Sequence, residues 1–196
     1  MPKSREKEEE SKPSVGVRYG EASLQGRRPT MEDCHICVEN VWEEEGREEG
    51  MKCSYFGVFD GHGGQKAAEF AANTLHQHIV RHEDFPHDAP TAIQSAFLDV
   101  ERNFLEWAKR DQLEDGTTAV IAILLGNELH VANVGDSEAV LCHNGTSVEL
   151  TTVHNPAKNP NESERVEQAG GKIYHSRVGH PCLNHAYFNL AISRAM

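Results

Sequence analysis

Phe56-Gly57-Val58-Phe59-Asp60-Gly61-His62-Gly63-Gly64 is the stretch on which the fold turns. From Cys53 onward, aromatic and β-branched residues lead into it, the composition of a β-strand. Asp60 closes the apolar run, so the strand delivers a carboxylate to a solvent edge. Gly61 permits close backbone approach, and its carbonyl offers a second hard oxygen. His62 follows, and Gly63-Gly64 opens a helix. Taken alone, Asp-Gly is as readily a simple turn.

Upstream, Cys34 to Val41 reads as a second strand. The acidic stretch Glu43-Glu44-Glu45-Gly46-Arg47-Glu48-Glu49-Gly50 between the two strands is expected to be a solvated hairpin loop. Downstream, Ala68, Ala71, Ala72, Leu75 and Ile79 recur at helical steps from Gln65 to about Arg81. Ile93, Phe97, Val100, Phe104 and Trp107 do the same from Pro90 to about Arg110. The prolines of Phe85-Pro86-His87-Asp88-Ala89-Pro90 break the two apart, which predicts an antiparallel helix pair lying on a sheet.

Thr117 to Leu125 is a nearly continuous apolar run, the pattern of a strand covered on both faces. Leu129–Val134, Ala139–Cys142 and Ser147–Leu150 follow at short intervals, with Asn144-Gly145 as a hairpin turn, and together they predict an antiparallel meander. A short helix is expected over Glu162 to Ala169, ended by Gly170-Gly171. Strands, two helices and further strands make an α+β layered domain.

The chain carries 19 Lys and Arg against 31 Asp and Glu, a net charge of −12 over 196 residues. That balance argues against nucleic acid and anionic membranes as partners, since both reward clustered basic residues. No apolar run reaches the length of a membrane span, and Met1–Ser14 has the charged composition of a disordered leader rather than a secretory signal. Five scattered cysteines suit reduced thiols in the cytoplasm or nucleus. Cys34 and Cys37 have the spacing of half a zinc knuckle, but on a strand residues three apart face opposite sides. His175, His180 and His185 read as a His-rich surface flap rather than a metal cluster.

Three further groups bear on Asp60. Arg28-Pro29-Thr30-Met31-Glu32-Asp33 sets a guanidinium and two carboxylates before a strand, and Val134-Gly135-Asp136-Ser137 places another carboxylate where a strand turns. Carboxylates and carbonyls without thiol or paired imidazole ligands suit Mg2+ or Mn2+. Two such ions can clamp an in-line displacement, and an arginine fork matches a phosphate.

These motifs, with Gly116-Thr117-Thr118-Ala119, Val131-Ala132-Asn133-Val134-Gly135-Asp136-Ser137 and Leu190-Ala191-Ile192-Ser193-Arg194-Ala195, resemble in order those of the protein phosphatase 2C (PP2C) family. The resemblance runs from about Val15 to the end of the chain. It implies a four-layer αββα sandwich, two antiparallel sheets flanked by antiparallel helix pairs. It also implies a monomeric enzyme that hydrolyses phosphoserine and phosphothreonine in proteins, by direct attack of a water between two Mg2+ or Mn2+ ions. Residue by residue, Asp60 matches the bridging carboxylate. Glu32 and the Gly61 carbonyl match ligands of one ion, with Asp33 acting through water, and Asp136 matches an acid linked to a weaker third ion. Arg28 matches the phosphate-binding arginine and His62 the general acid.

The sequence departs from the family pattern in places. Asp115 stands before Gly116 where the family has Ser, and is expected to be a loop variation of little consequence. Thr152-Val153-His154-Asn155-Pro156 lacks the usual acid of Asp-His-x-Pro. The family continues past Ser-Arg-Ala with strands carrying two more metal-binding aspartates. Their absence after Met196 predicts an incomplete C-terminal part and weakened activity. The alternative is a non-catalytic PP2C-like module that binds a phosphoprotein or regulatory partner.

Overall fold

The computed structural model describes residues 16–47, 50–179 and 190–196. The expected leader over residues 1–14, together with His180, Cys182 and His185, lies outside them. In chain order the elements are β1 (Cys34–Val38), α1 (Val41–Glu44), β2 (Cys53–Phe59), β3 (Gly61–His62), α2 (Lys66–Arg81) and α3 (Ala89–Asp111). There follow β4 (Gly116–Thr117), β5 (Ala119–Leu125), β6 (Glu128–Val134), β7 (Val140–His143), β8 (Thr146–Glu149), α4 (Pro160–Gln168), β9 (Lys172–Tyr174) and β10 (Arg177–Gly179).

The organising sheet is antiparallel with strand order β1-β2-β5-β6. Its register sets Cys53, Tyr55, Gly57 and Phe59 of β2 opposite Leu125, Ile123, Ile121 and, on β1, Cys34. These residues share one face, and α2 and α3 pack on it. Ala68, Ala71 and Ala72 are small enough to let α2 approach closely, and Leu75 and Ile79 fill the space beside Tyr55 and Phe59. From α3 come Ile93, Ala96 and Val100. Phe104 leaves this core for a second cluster with Ala67, where Phe70 and Trp107 stack around it at centroid distances of 5.7 to 5.8 Å.

Four expectations need correction. The first strand stops at Val38, and Val41 and Trp42 turn into α1 because both side chains are buried at 1% exposure. The acidic stretch is therefore not wholly a solvated loop: its start is helical and anchored by the Trp42 indole, which donates to the Met51 carbonyl at 2.8 Å. The helices do separate over 82–88 as expected, and Pro90 occupies the first turn of α3, where its missing N–H costs nothing. The apolar run from Thr117 is covered fully on the helical face only, since Val120, Ala122 and Leu124 are partly exposed. On that second face Val58 and Leu129 are about half exposed, and residues 17–24 lie across part of it with Tyr19 against Phe56 at 5.4 Å. Finally, β7 and β8 do not extend the meander. They form a separate two-stranded hairpin through Asn144 and Gly145, both at positive φ, as do β9 and β10 through His175 and Ser176.

The last described segment is tied down by charge. Glu162 on α4 is 4% exposed. Its carboxylate accepts from Arg194 Nη2 at 2.7 Å, from Arg165 Nη2 at 3.0 Å and from the Ser193 hydroxyl. The Arg194 and Arg165 guanidiniums and the Ser193 hydrogen bond hold its pKa well below the usual carboxylate range, against the opposing effect of burial. The sign for stability is that of a depressed acid. The contribution is present above the unfolded value of about 4.3 and is lost as pH falls. Glu162→Gln is accordingly expected to lower stability at neutral pH and to flatten its decline below pH ~4.3, as read by chemical denaturation across pH. Among the described residues, no helix is long and apolar enough to cross a membrane.

Candidate active site

Asp60 sits where β2 ends. Its N–H donates to Thr118 Oγ1 at 3.2 Å, and its carbonyl accepts from the Thr118 N–H at 2.9 Å. Thr118 Oγ1 is also hydrogen-bonded to Ser137 Oγ at 2.6 Å. Three strand ends, those of β2, β4 and β6, thus meet behind one carboxylate. Thr118 and Ser137 belong to sequence motifs whose pattern assigns them no role. Their part is visible only once β5 pairs with both β2 and β6.

The glycines around Asp60 are contact surfaces. A Cβ on Gly61 would stand 2.4 Å from the Glu32 carbonyl oxygen. The 28–33 segment therefore lies directly on the strand end, as the reading of Gly61 as a close-approach residue expects. Arg28, Glu32, Asp33, Asp60 and Gly61 line one cavity of about 360 Å3. Asp33 and Asp60 thus face the same cavity, close enough for their charges to interact. Partial loss of hydration raises the Asp60 pKa above the ordinary carboxyl value. Asp33 and Asp136 push it the same way and Arg28 opposes. The Asp60 side chain stays accessible from the cavity despite that lost hydration.

His62 pairs with Gly116 across the β3–β4 ladder, and its imidazole lies where a Gly116 side chain would be, with Nε2 2.4 Å from the built Cβ. Burial lowers its pKa, and the charges of Glu32, Asp115 and Asp136 work against that shift. Glu32 accepts a hydrogen bond from the Thr30 hydroxyl at 3.1 Å. Asp136 is held from behind by Asn155, whose Nδ2 donates to Oδ2 at 3.2 Å.

The shared lining of Asp33, Asp60 and Arg28 is the feature that fits a hard divalent cation. Two acids beside one arginine are under-neutralised, and their donors are all oxygens. Among the described residues, however, no three His, Cys, Asp or Glu side chains converge as a ready ligand group. The same holds for the cysteines: Cys34 packs toward the core while Cys37 turns to Glu21 on the other face.

Asp115 is not a neutral loop variation. α2 has no side-chain cap from its own N-cap residue, Gln65, and Asp115 Oδ2 accepts the Lys66 N–H at 2.9 Å instead. The carboxylate occupies the space above Gly64, where a Cβ would come within 2.1 Å of it. An acid at a helix N-terminus also favours the backbone dipole. Asp115→Ala is expected to cost about 1 kcal/mol by denaturant titration, and Asp115→Ser to recover part of it, as caps of both kinds do. Sequence alone hid this role because the capped N–H is 49 residues away in the chain.

A family model described as "Protein phosphatase 2C" matches residues 17–196. The chain is similar to "Probable protein phosphatase 2C 57" of Oryza sativa subsp. japonica, 42% identical over 161 residues that make 81% of this chain and 44% of that protein. It is also similar to "Protein phosphatase 1E" of Mus musculus, 39% identical over 162 residues, 83% of this chain and 22% of the relative. A solved structure described as that of a C. elegans sex determining protein superposes with a TM-score of 0.71 at 24% identity, covering 88% of this chain and 42% of the other. That likeness supports the α+β sandwich fold. The chain spans less than half the length of each of these proteins.

Proposed function

The chain belongs to the protein phosphatase 2C family, and on that premise we propose that its residues serve the metal-dependent hydrolysis of phosphoserine and phosphothreonine in protein substrates. The observation that carries this reading is the shared cavity of Arg28, Asp33 and Asp60. Asp60 and Asp33, with the Gly61 carbonyl and Glu32, would hold Mg2+ or Mn2+, and Asp136 would serve a weaker further ion. When bound, such ions supply Lewis-acid activation of water and neutralise charge at phosphorus.

The chain's own groups do the rest. Arg28 presents a planar fork to the phosphate oxygens and fixes the ester for in-line attack. Thr118 and the β3–β4 ladder hold Asp60 on rigid backbone, so its orientation costs nothing at the moment of reaction. His62, protonated, gives its proton to the departing serine or threonine oxygen. A phosphoserine peptide incubated with the chain should release phosphate with Mn2+ and stop with EDTA. Release that persists in EDTA would contradict the reading.

The absence of a three-residue ligand group among the described residues favours a second reading, a phosphoprotein-binding module without turnover. Retained phosphopeptide binding with no phosphate release at saturating Mn2+ would select it.

A further inference from the structure

We propose that Glu162 is a positioning residue: by clamping the 192–196 segment, it sets the geometry of both turns that carry Asp60 and Asp136. The inference rests on reading those two acids as the cation-facing groups. The chain of contacts starts at the buried Glu162 carboxylate, which holds Ser193 and Arg194, while Arg165 Nη2 also donates to the Ser193 carbonyl at 2.6 Å. From this clamp two backbone routes lead to the site.

The first route runs through Ser193. Its N–H donates to the His154 carbonyl at 2.9 Å. His154 in turn grips the Gly135 peptide from both sides. Its N–H donates to the Gly135 carbonyl at 2.9 Å, and its Nδ1 accepts the Gly135 N–H at 3.2 Å. The next residue, Asn155, is 8% exposed and donates to the Asp136 carboxylate, while its Oδ1 accepts the Ala157 N–H at 3.0 Å and so fixes the amide orientation. The second route runs through Met196, which exchanges two backbone hydrogen bonds with Thr117 at 2.9 and 3.0 Å. Thr117 pairs with Gly61 in the β3–β4 ladder, and Thr118 bonds the Asp60 carbonyl.

Neither route passes through the α2/α3 core. The segment 192–196 has few apolar anchors of its own, Ile192 being buried and Met196 packed against the core edge. The ionic clamp is the side-chain constraint on this segment, beside the backbone bonds at Ser193 and Met196. Supporting contacts behind metal-facing groups commonly govern cation affinity by 10–100-fold, and a displacement of about 1 Å far from the chemistry can cost ~10²-fold in rate.

Amide hydrogen exchange on the full chain, wild type against Glu162→Gln and Glu162→Ala, decides the matter without any metal. The expected result is at least a tenfold loss of protection at Thr117, His154, Ser193 and Met196, with α2 amides unchanged and Glu162→Gln milder than Glu162→Ala. Unchanged protection at Thr117 and His154 overturns the proposal. So does a uniform loss over the whole chain, the pattern expected of Leu75→Ala in the core. A Mn2+ titration followed by electron paramagnetic resonance then reads the consequence: at least tenfold weaker binding in Glu162→Gln than in wild type. Equal affinity overturns the functional part of the inference. A wild-type chain that takes up no Mn2+ sinks the cation reading of Asp60 and Asp136, while the exchange data still decide the clamp.

Discussion

Asp60→Asn is expected to reduce Mn2+-dependent phosphate release by at least about 10²-fold, the loss that follows removal of one preorganised electrostatic group. The same substitution should stabilise the metal-free chain. In the folded state Asp60 loses hydration and faces Asp33 and Asp136, so its pKa is raised. A raised acid lends stability at low pH that is lost as pH climbs through the unfolded and then the folded value, so at neutral pH ionisation of Asp60 is a cost. Removing that charge should return up to about 1 kcal/mol, a modest figure because the side chain remains accessible to solvent. A thermal melt in EDTA together with a phosphate-release assay in Mn2+ reads both effects. Opposite signs in the two measurements distinguish a cation-facing acid from an ordinary turn residue, whose loss would leave the rate intact.

Gly61→Ala is the second large effect. The added methyl would meet the Glu32 carbonyl oxygen at 2.4 Å and the Gly64 carbonyl oxygen at 3.0 Å, both backbone atoms that cannot rotate away. Either the 28–33 segment or the β3 turn must shift. Overpacking of this kind costs about 1–3 kcal/mol, and the upper end is expected here because no side chain can yield. The displaced backbone carries Glu32 and Asp33, so phosphate release should fall by about 10²-fold at the same time. Gly145→Ala is the contrast. Gly145 sits at φ +79 on the β7–β8 turn with nothing within 4 Å of a built Cβ. It should cost about 1 kcal/mol from backbone strain alone and leave the rate unchanged.

Local pattern sufficed wherever one element carried its own signal. The strand Cys53–Phe59 was bounded by a charge and a turn, and the α2 residues Ala68, Ala71, Ala72, Leu75 and Ile79 declared the buried face by spacing alone. Arg28, Glu32, Asp33, Asp60 and Gly61 were legible as one group through ordered motifs, and they line one cavity. What stayed hidden depends on contacts between distant segments. Trp42 stands just before an acidic run whose composition speaks for solvent, yet the indole is buried against Phe85 in α1. Asp115 caps a helix that starts far upstream, and Glu162 pairs with an arginine 32 residues further on. Periodicity could not show that β7 and β8 leave the sheet, because a hairpin reads the same whether or not its flank is paired. The partly exposed second face of β5 likewise follows from which strands lie opposite, a property no single run encodes.

Asp33 and Asp60, beside Arg28, form the proposed site for a hard divalent cation. Calorimetric titration of the full chain with Mn2+, wild type against Asp60→Asn, tests it most directly. Saturable binding is expected in wild type, weakened by at least about tenfold in Asp60→Asn. No saturable binding in wild type, or equal binding in both, would contradict it.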